Sequence, residues 1–290
     1  MLKRKTGLWM ILLSGILFGI MPGLIQFCYS QGASLAEVNT AKFLVMILVL
    51  LPYIFTRRAG AHAFLHNAPR LLLLSVFSVS TEILLFSSYH YLDTSLATTI
   101  HFLYPVIVSF ISLLFLHKKA NAVTWICLVL SVGGIVAMLK SGGSLHPAGF
   151  ILVSLSAVTW AIYIVLLSTD FEQELTPLEV VFSIAVINLV LQLLFGIATD
   201  SIHYQLSFKA WIGILLNGLL SGAGGSLLFS LGTQRCEAQV AAIASTMEPI
   251  VSVFVGIFFL NEPKSTRVLI GCALILASVI LLAAKGENDK

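Results

Sequence analysis

Apolar stretches long enough to cross a bilayer recur along this chain, separated by brief polar punctuation. A helical span needs roughly 20 mostly apolar residues. By that measure ten helices are predicted, near 7–29, 36–56, 70–91, 95–116, 122–140, 147–168, 177–199, 209–233, 238–260 and 265–284. The connections are short, so neighbouring helices must be antiparallel. The first stretch follows Met1-Leu-Lys-Arg-Lys5, as a secretion leader would. Its apolar run from Gly7 to Phe27 is long enough to span and ends in no small-residue cleavage pattern, so it is expected to be a retained helix.

The polar and small positions within these stretches repeat. Ala97-Thr-Thr-Ile-His-Phe-Leu-Tyr-Pro105, continuing to Leu116, is echoed 144 residues later by Ala241-Ala-Ile-Ala-Ser-Thr-Met-Glu-Pro249, continuing to Leu260. Phe18 falls on Trp160 at a shift of 142, and Cys127 and Gly134 fall on Gly271 and Ser278 at 144. A repeat of five helices must be inserted upside down relative to the first copy. The prediction is therefore an all-α membrane protein whose ten transmembrane helices form two inverted five-helix repeats, 1–144 and 145–290, able to alternate access by rocking.

Composition agrees. The chain has 290 residues, 58% of them hydrophobic and only 10% charged, with a mean hydropathy of +1.01. No soluble catalytic domain or nucleic-acid-binding face has room outside the bilayer. Charge adds orientation. With the N-terminus cytoplasmic, Lys3, Arg4, Lys5, Arg57, Arg58, Arg70, Lys118, Lys119, Arg235, Lys285 and Lys290 lie inside, against Lys140, Lys209, Lys264 and Arg267 outside. The positive-inside rule then puts both termini in the cytoplasm, and the acidic loop Thr169–Pro177, also inside, weighs little in that rule. Cys28, Cys127, Cys236 and Cys272 have neither pairing nor metal-ligand spacing and are expected to be free thiols.

Helical spacing gathers the polar residues onto faces. Thr94, Thr98, His101, Pro105, Ser109 and Ser112 form one stripe of the fourth span. Ala238, Ala242, Ser245, Pro249, Val253 and Gly256 form the matching small face of the ninth. The third span aligns Ser75, Ser78, Glu82 and Tyr89, and the eighth offers Gly222, Ser226, Ser230 and Thr233. Small residues such as Gly15-xxx-Gly19 and Gly218-xxx-Gly222 fit plain helix packing equally well.

Glu82 stands midway along a span, where an ionised carboxylate is costly and normally kept for a pathway or proton relay; its bland alternative is a protonated acid bonded to backbone. His101 can relay a proton or contact substrate, or merely satisfy a packing partner. Tyr104 and Glu248 precede Pro105 and Pro249, which remove a helical hydrogen bond and should bend both helices into gates. Glu248 can instead fix its kink or pair with a basic group. Phe18, Trp160 and Tyr163 are candidate aromatic cavity walls, with packing or interface anchoring as the alternative. Lys42 either lines the cavity or snorkels to the outer interface. The substrate-binding candidates are thus Phe18, Glu82, His101, Tyr104, Trp160, Tyr163, Ser226, Ser245 and Glu248, with Glu82 and His101 as the proton-coupling pair.

The run Ser245-Thr-Met-Glu-Pro249, then Phe258-Phe-Leu-Asn-Glu-Pro263 and Leu269-Ile-Gly271, with Tyr104-Pro105 and Trp160-Ala161, resembles the drug/metabolite transporter superfamily in its EamA-type ten-helix branch. The likeness extends over essentially the whole chain. It departs at Leu116-His-Lys-Lys119, where the family often has Gly-Glu, and at Lys42, where it often carries arginine. The resemblance implies a proton-coupled or facilitated carrier of small metabolites, often an exporter, with helices one, three, four, six, eight and nine around a central cavity. It also implies a bacterial plasma-membrane protein.

The leading expectation is a secondary transporter exporting amino acids or related amphipathic compounds. Drug efflux and metabolite uptake are the alternatives within that class. No Walker motif supports ATP hydrolysis, and no His-Glu-x-x-His or paired-Asp motif supports an intramembrane enzyme. A scaffold gains nothing from Glu82 or His101. The expected partners are a small-molecule substrate, protons and membrane lipids, with no nucleic acid, cofactor or metal. Assembly stays open between monomer and homodimer.

Overall fold

The computed structural model describes residues 2–56, 61–88, 90–92, 94–114, 122–138, 146–168, 175–259 and 266–288. The loop charges of Arg57, Arg58, Lys118, Lys119, Lys140 and Lys264, the tyrosine Tyr89, and the Asn261-Glu262 pair lie outside the described residues, as do the side chains of Thr94, Val253 and Gly256. All regular structure among the described residues is helical.

The helices are α1 (Leu2–Ser30), α2 (Leu35–Thr56), α3 (Ala61–Ser88), α4 (Thr94–His101), α5 (Tyr104–Leu114), α6 (Ala122–Met138) and α7 (Pro147–Leu167). They continue as α8 (Pro177–Ala198), α9 (Phe208–Asn217), a π-helical segment (Gly218–Gly225), α10 (Ser226–Thr233), α11 (Ala238–Ala244), α12 (Met247–Phe259) and α13 (Thr266–Asn288). Grouped by continuity, they fall on the ten predicted segments. Six runs, among them the unbroken Phe208–Thr233, are long and apolar enough to cross a membrane. The third helix starts nine residues before the predicted 70, because Phe64 packs back onto the main core and carries an extra amphipathic turn with it.

Local chemistry sets the ends. Thr176 and Glu179 form a reciprocal capping box ahead of α8, with Pro177 in the first helical position where its missing N–H is harmless. Ser34 and Glu37 do the same for α2, at 2.8 and 3.1 Å. Glu37 also accepts the backbone N–H groups of His203 and Tyr204, at 2.9 and 2.6 Å, tying the loop before α9 to α2.

The fourth and ninth spans are broken, at Phe102-Leu103 and Ser245-Thr246. In each, proline follows within four residues and the turn tightens: Leu103 N–H donates to Ile100 O at 3.1 Å, and Thr246 N–H to Ile243 O at 3.1 Å. Both spans are thus interrupted just ahead of their prolines. The π segment is glycine-rich where neighbours come closest. A Cβ at Gly218 would lie 2.7 Å from Cβ of Val45, and one at Gly225 would lie 2.8 Å from the Phe18 ring.

Polarity is arranged inside out relative to a water-soluble protein. Ser14, Asn39, Lys42, Gln192 and Asn217 are buried, while Leu48, Val129, Ile197 and Ile280 are exposed along the helices. Such a surface suits lipid and would be an aggregation site in water.

Packing follows a regular plan. α1 lies against α12 and against the α9–α10 run; α7 lies against α4, α5 and α3; α2 meets both α8 and the π segment; α3 meets α8; and α6 pairs with α13. At that last pair, a Cβ on Gly134 would sit 2.7 Å from both Gly271 O and Ile275 Cγ1. Ser278 Oγ donates to Cys127 O and meets Ser131 Oγ, each at 2.8 Å. Where described, the four cysteines are free.

A central cavity as the candidate functional site

The helices line a cavity of about 110 Å³. One water needs on the order of 10–15 Å³, so the space suits a small organic molecule. Its wall draws on the six spans that the resemblance implies. It also draws on α2, through Lys42, Phe43 and Met46, and on α8, through Val181, Ile184 and Asn188.

The charged centre is built from α2, α3 and α8. Lys42 Nζ stands 2.5 Å from Glu82 Oε1, and Gln192 Nε2 approaches Glu82 Oε2 at 3.5 Å. The Lys42 side chain is 5% exposed and lies over the Phe43 ring at 4.4 Å, so of its two sequence readings the structure shows the cavity-lining one. Its ammonium is held there by the Glu82 carboxylate, which lines the same cavity. Among the described residues Glu82 is accordingly bonded to side chains, and its cationic partner comes from a neighbouring helix 40 residues away.

His101 projects from the last turn of α4 into the cavity wall, with Nδ1 3.0 Å from Ser156 Oγ on α7. Glu248, in the first turn of α12, also borders the cavity. Asn188 on α8 and Ser78 on α3 are hydrogen-bonded at 3.1 Å; with the amide turned so that its oxygen accepts from Ser78, its nitrogen reaches Ser75 O and Ile184 O.

An aromatic cluster lines the same cavity. Trp160 stacks on Tyr163 at 4.9 Å and 13°, which follows from their spacing of one turn on α7. It stacks on Phe229 at 5.7 Å and 22°, and Phe18 leans on Phe229 at 6.1 Å. Tyr104 packs edge-on behind Trp160 at 6.5 Å.

Of the residues singled out from sequence, Phe18, Glu82, His101, Trp160, Tyr163, Ser226 and Glu248 line this single cavity. Tyr104 and Ser245 stand outside the cavity wall. Tyr104 is buried behind Trp160, and the Ser245 hydroxyl bonds its own helix at Ala241 O, 2.8 Å away. Pro105 and Pro249 are buried just past the two helix breaks. Sequence reading missed Phe229, Asn188 and Gln192. Phe229 has a signal in hindsight, since it lies one turn from Ser226 and 144 residues from the lining residue Leu85. Asn188 and Gln192 share a face of α8, four residues apart, in a helix otherwise read only as apolar.

The model of the EamA-like transporter family matches residues 5–140 and again 147–284. The chain belongs to the EamA-like transporter family. This family is part of the drug/metabolite transporter superfamily, so the chain is an integral multi-pass membrane protein of a transporter family rather than of an enzyme family. An uncharacterized transporter of Bacillus subtilis (strain 168), YvbV, is 26% identical over 294 residues, covering 99% of this chain and 94% of that protein. An uncharacterized transporter of Archaeoglobus fulgidus is 27% identical, covering 93% and 94%. Mouse solute carrier family 35 member G1 is 24% identical, covering 89% and 73%. A solved crystal structure superposes with a TM-score of 0.82 over 98% of this chain and all of that one, at 17% identity, which is agreement of fold.

Proposed function

We propose that this EamA-family protein is a secondary transporter that exports amino acids or related amphipathic metabolites across the plasma membrane by alternating access, with both termini cytoplasmic. The observation that carries the reading is one cavity lined by Lys42, Glu82 and Glu248 together with Trp160, Tyr163 and Phe229. An amino acid presents a carboxylate, an ammonium and a side chain. The cavity presents a complement for each. A monocationic drug would have to approach a buried lysine, which counts against drug efflux.

The rocking scaffold is two inverted five-helix halves, 1–144 and 145–290. Two observations support it. First, exchange of the halves turns the Gly134–Gly271 contact into Ser278–Cys127, and the Gly134–Ile275 contact into Ser278–Ser131, all of which are made. Self-complementary contacts of this kind are the mark of a two-fold relation. Second, the cavity wall consists largely of equivalent pairs: Phe18 with Trp160, Met21 with Tyr163, Lys42 with Ile184 and Met46 with Asn188 at an offset of 142, then Ser78 with Gly222, Glu82 with Ser226 and Leu85 with Phe229 at 144. The site therefore straddles the axis about which the halves would rock.

Protons are the coupling ion in this reading. The titratable groups facing the cavity are Lys42, Glu82, His101, Tyr163 and Glu248, and Glu82 and His101 are the proposed carriers. Purified protein in liposomes is expected to move radiolabelled neutral amino acids in a pH-gradient-dependent manner, and Glu82→Gln to abolish or uncouple that flux. Flux of cationic drugs with none of amino acids would overturn the substrate class. Unchanged flux and pH dependence in Glu82→Gln would remove Glu82 from the mechanism.

A further inference from the structure

We infer that Lys42 is the carboxylate anchor of the cavity, and that it selects zwitterions over singly charged molecules because Glu82 already neutralises it. The inference rests on the amino-acid reading above and specifies which residue holds which end of the substrate.

A lysine ammonium has three donors. Here one goes to Glu82 Oε1, and the face of Phe43 lies 4.4 Å away; among the described residues no other acceptor reaches Nζ. A side chain that is 95% enclosed, borders a cavity and keeps donors in reserve can accept an oxygen ligand from that cavity without giving up its existing partner. Buried donors without acceptors are costly in a folded chain, more so within a bilayer.

The surroundings contain further unused polar atoms. α2 and α8 run antiparallel, with Ala36 against Gly196 at one level and Phe43 and Met46 in a cluster with Val181 and Ala185 at another. Asn39 and Gln192 lie between these levels, behind the cavity wall: Gln192 reaches Glu82, and Asn39 stands three residues before Lys42 on α2. Both amide atoms of Asn39 and the Oε1 of Gln192 are buried without a hydrogen-bond partner. Native interiors rarely tolerate such atoms unless water or a ligand supplies the bonds.

Charge balance sets the class of ligand. Lys42 and Glu82 together are neutral, so a simple carboxylate docked on Lys42 would add an uncompensated negative charge inside the membrane. A simple amine would bring no acceptor for the spare donors of Lys42. A zwitterion brings its own counter-charge, which Glu82 or Glu248 can receive, while its side chain faces Trp160 and Phe229.

The test uses detergent-purified full-length protein and three probes that share one side chain: L-leucine, isoamylamine and 4-methylpentanoate. Ligand that binds the folded state raises its melting temperature. Leucine is expected to stabilise the wild type more than either analogue. Lys42→Met/Glu82→Leu removes both charges and keeps the fold testable, and it is expected to weaken leucine binding roughly 10- to 100-fold, the usual effect of losing a charge-assisted hydrogen bond. Leucine bound by this double variant as tightly as by wild type overturns the inference. So does isoamylamine stabilising the wild type as well as leucine does, or the absence of leucine stabilisation in a wild type that melts cooperatively. Leucine binding lost in the double variant, with no flux in wild-type liposomes, would leave the anchor standing and the transport reading refuted. Wild-type leucine flux whose KM the double variant keeps would do the reverse.

Discussion

Lys42 and Glu82 are each expensive alone and tolerable together. Removing one partner of a buried pair leaves an uncompensated charge, at a cost of about 3–5 kcal/mol, whereas replacing both with apolar groups of similar size is often neutral. Lys42→Met is therefore expected to lower the melting temperature sharply in detergent, and Lys42→Met/Glu82→Leu to return it close to wild type. Glycine offers a second contrast. A Cβ at Gly19 would stand 2.5 Å from Val251 Cβ and 2.7 Å from Glu248 O, while one at Gly133 would meet nothing within 4 Å. Gly19→Val should cost about 1–3 kcal/mol by overpacking α1 against α12. Gly133→Ala should be neutral or stabilise by up to about 1 kcal/mol, read in the same melts. Sequence spacing could mark Gly15 and Gly19 as a close-packing face, but only the position of α12 shows what they pack against. Likewise Glu82 announces itself as a charge within a span. Its partner does not, because a sequence separation of 40 encodes no distance.

Glu37 shows how an element end can hold a neighbour. Its carboxylate closes the Ser34 capping box and receives two amides from the loop before α9. Glu37→Ala should leave those donors without an acceptor at a cost of about 1–3 kcal/mol. Amide exchange at His203 and Tyr204 is expected to accelerate ahead of exchange within α8 and α9; equal protection in the variant would show that the clamp is idle. At this level the breaks in the fourth and ninth spans were readable from Pro105 and Pro249, since proline acts locally. The π segment was not. Its residues 218–225 differ from an ordinary small-residue helix only in their glycine content, and it packs closely against Phe18 of α1 and Val45 of α2. The early start of α3 was missed for the same reason: Phe64 earns its helical turn through a long-range contact.

Across the whole molecule, the ten apolar segments and their order were plain in the hydropathy pattern, because a bilayer leaves a chain few options. The echo between residues 97–116 and 241–260 located the two broken helices in advance. The echo could not say that α2 and α8 would also face the cavity, since their lining residues, Lys42 with Ile184 and Met46 with Asn188, are chemically unlike. Orientation is the prediction that belongs here. If both termini are cytoplasmic, a fluorescent protein fused after Lys290 should glow and a phosphatase fused there should be inactive; the opposite pattern would invert the proposed topology. The ion pair has a further consequence at this scale, in the electrical work of a transport cycle. A unit charge carried across a membrane gains or loses roughly 2.3 kcal/mol per 100 mV. While Glu82 is ionised, it and Lys42 sum to zero, so a step that moves them together displaces no net charge through the field. If the cargo is also a net-neutral zwitterion, voltage acts only on the step in which Glu82 carries the coupling proton and leaves the charge of Lys42 uncompensated, and any current recorded during transport reports the coupling ion alone.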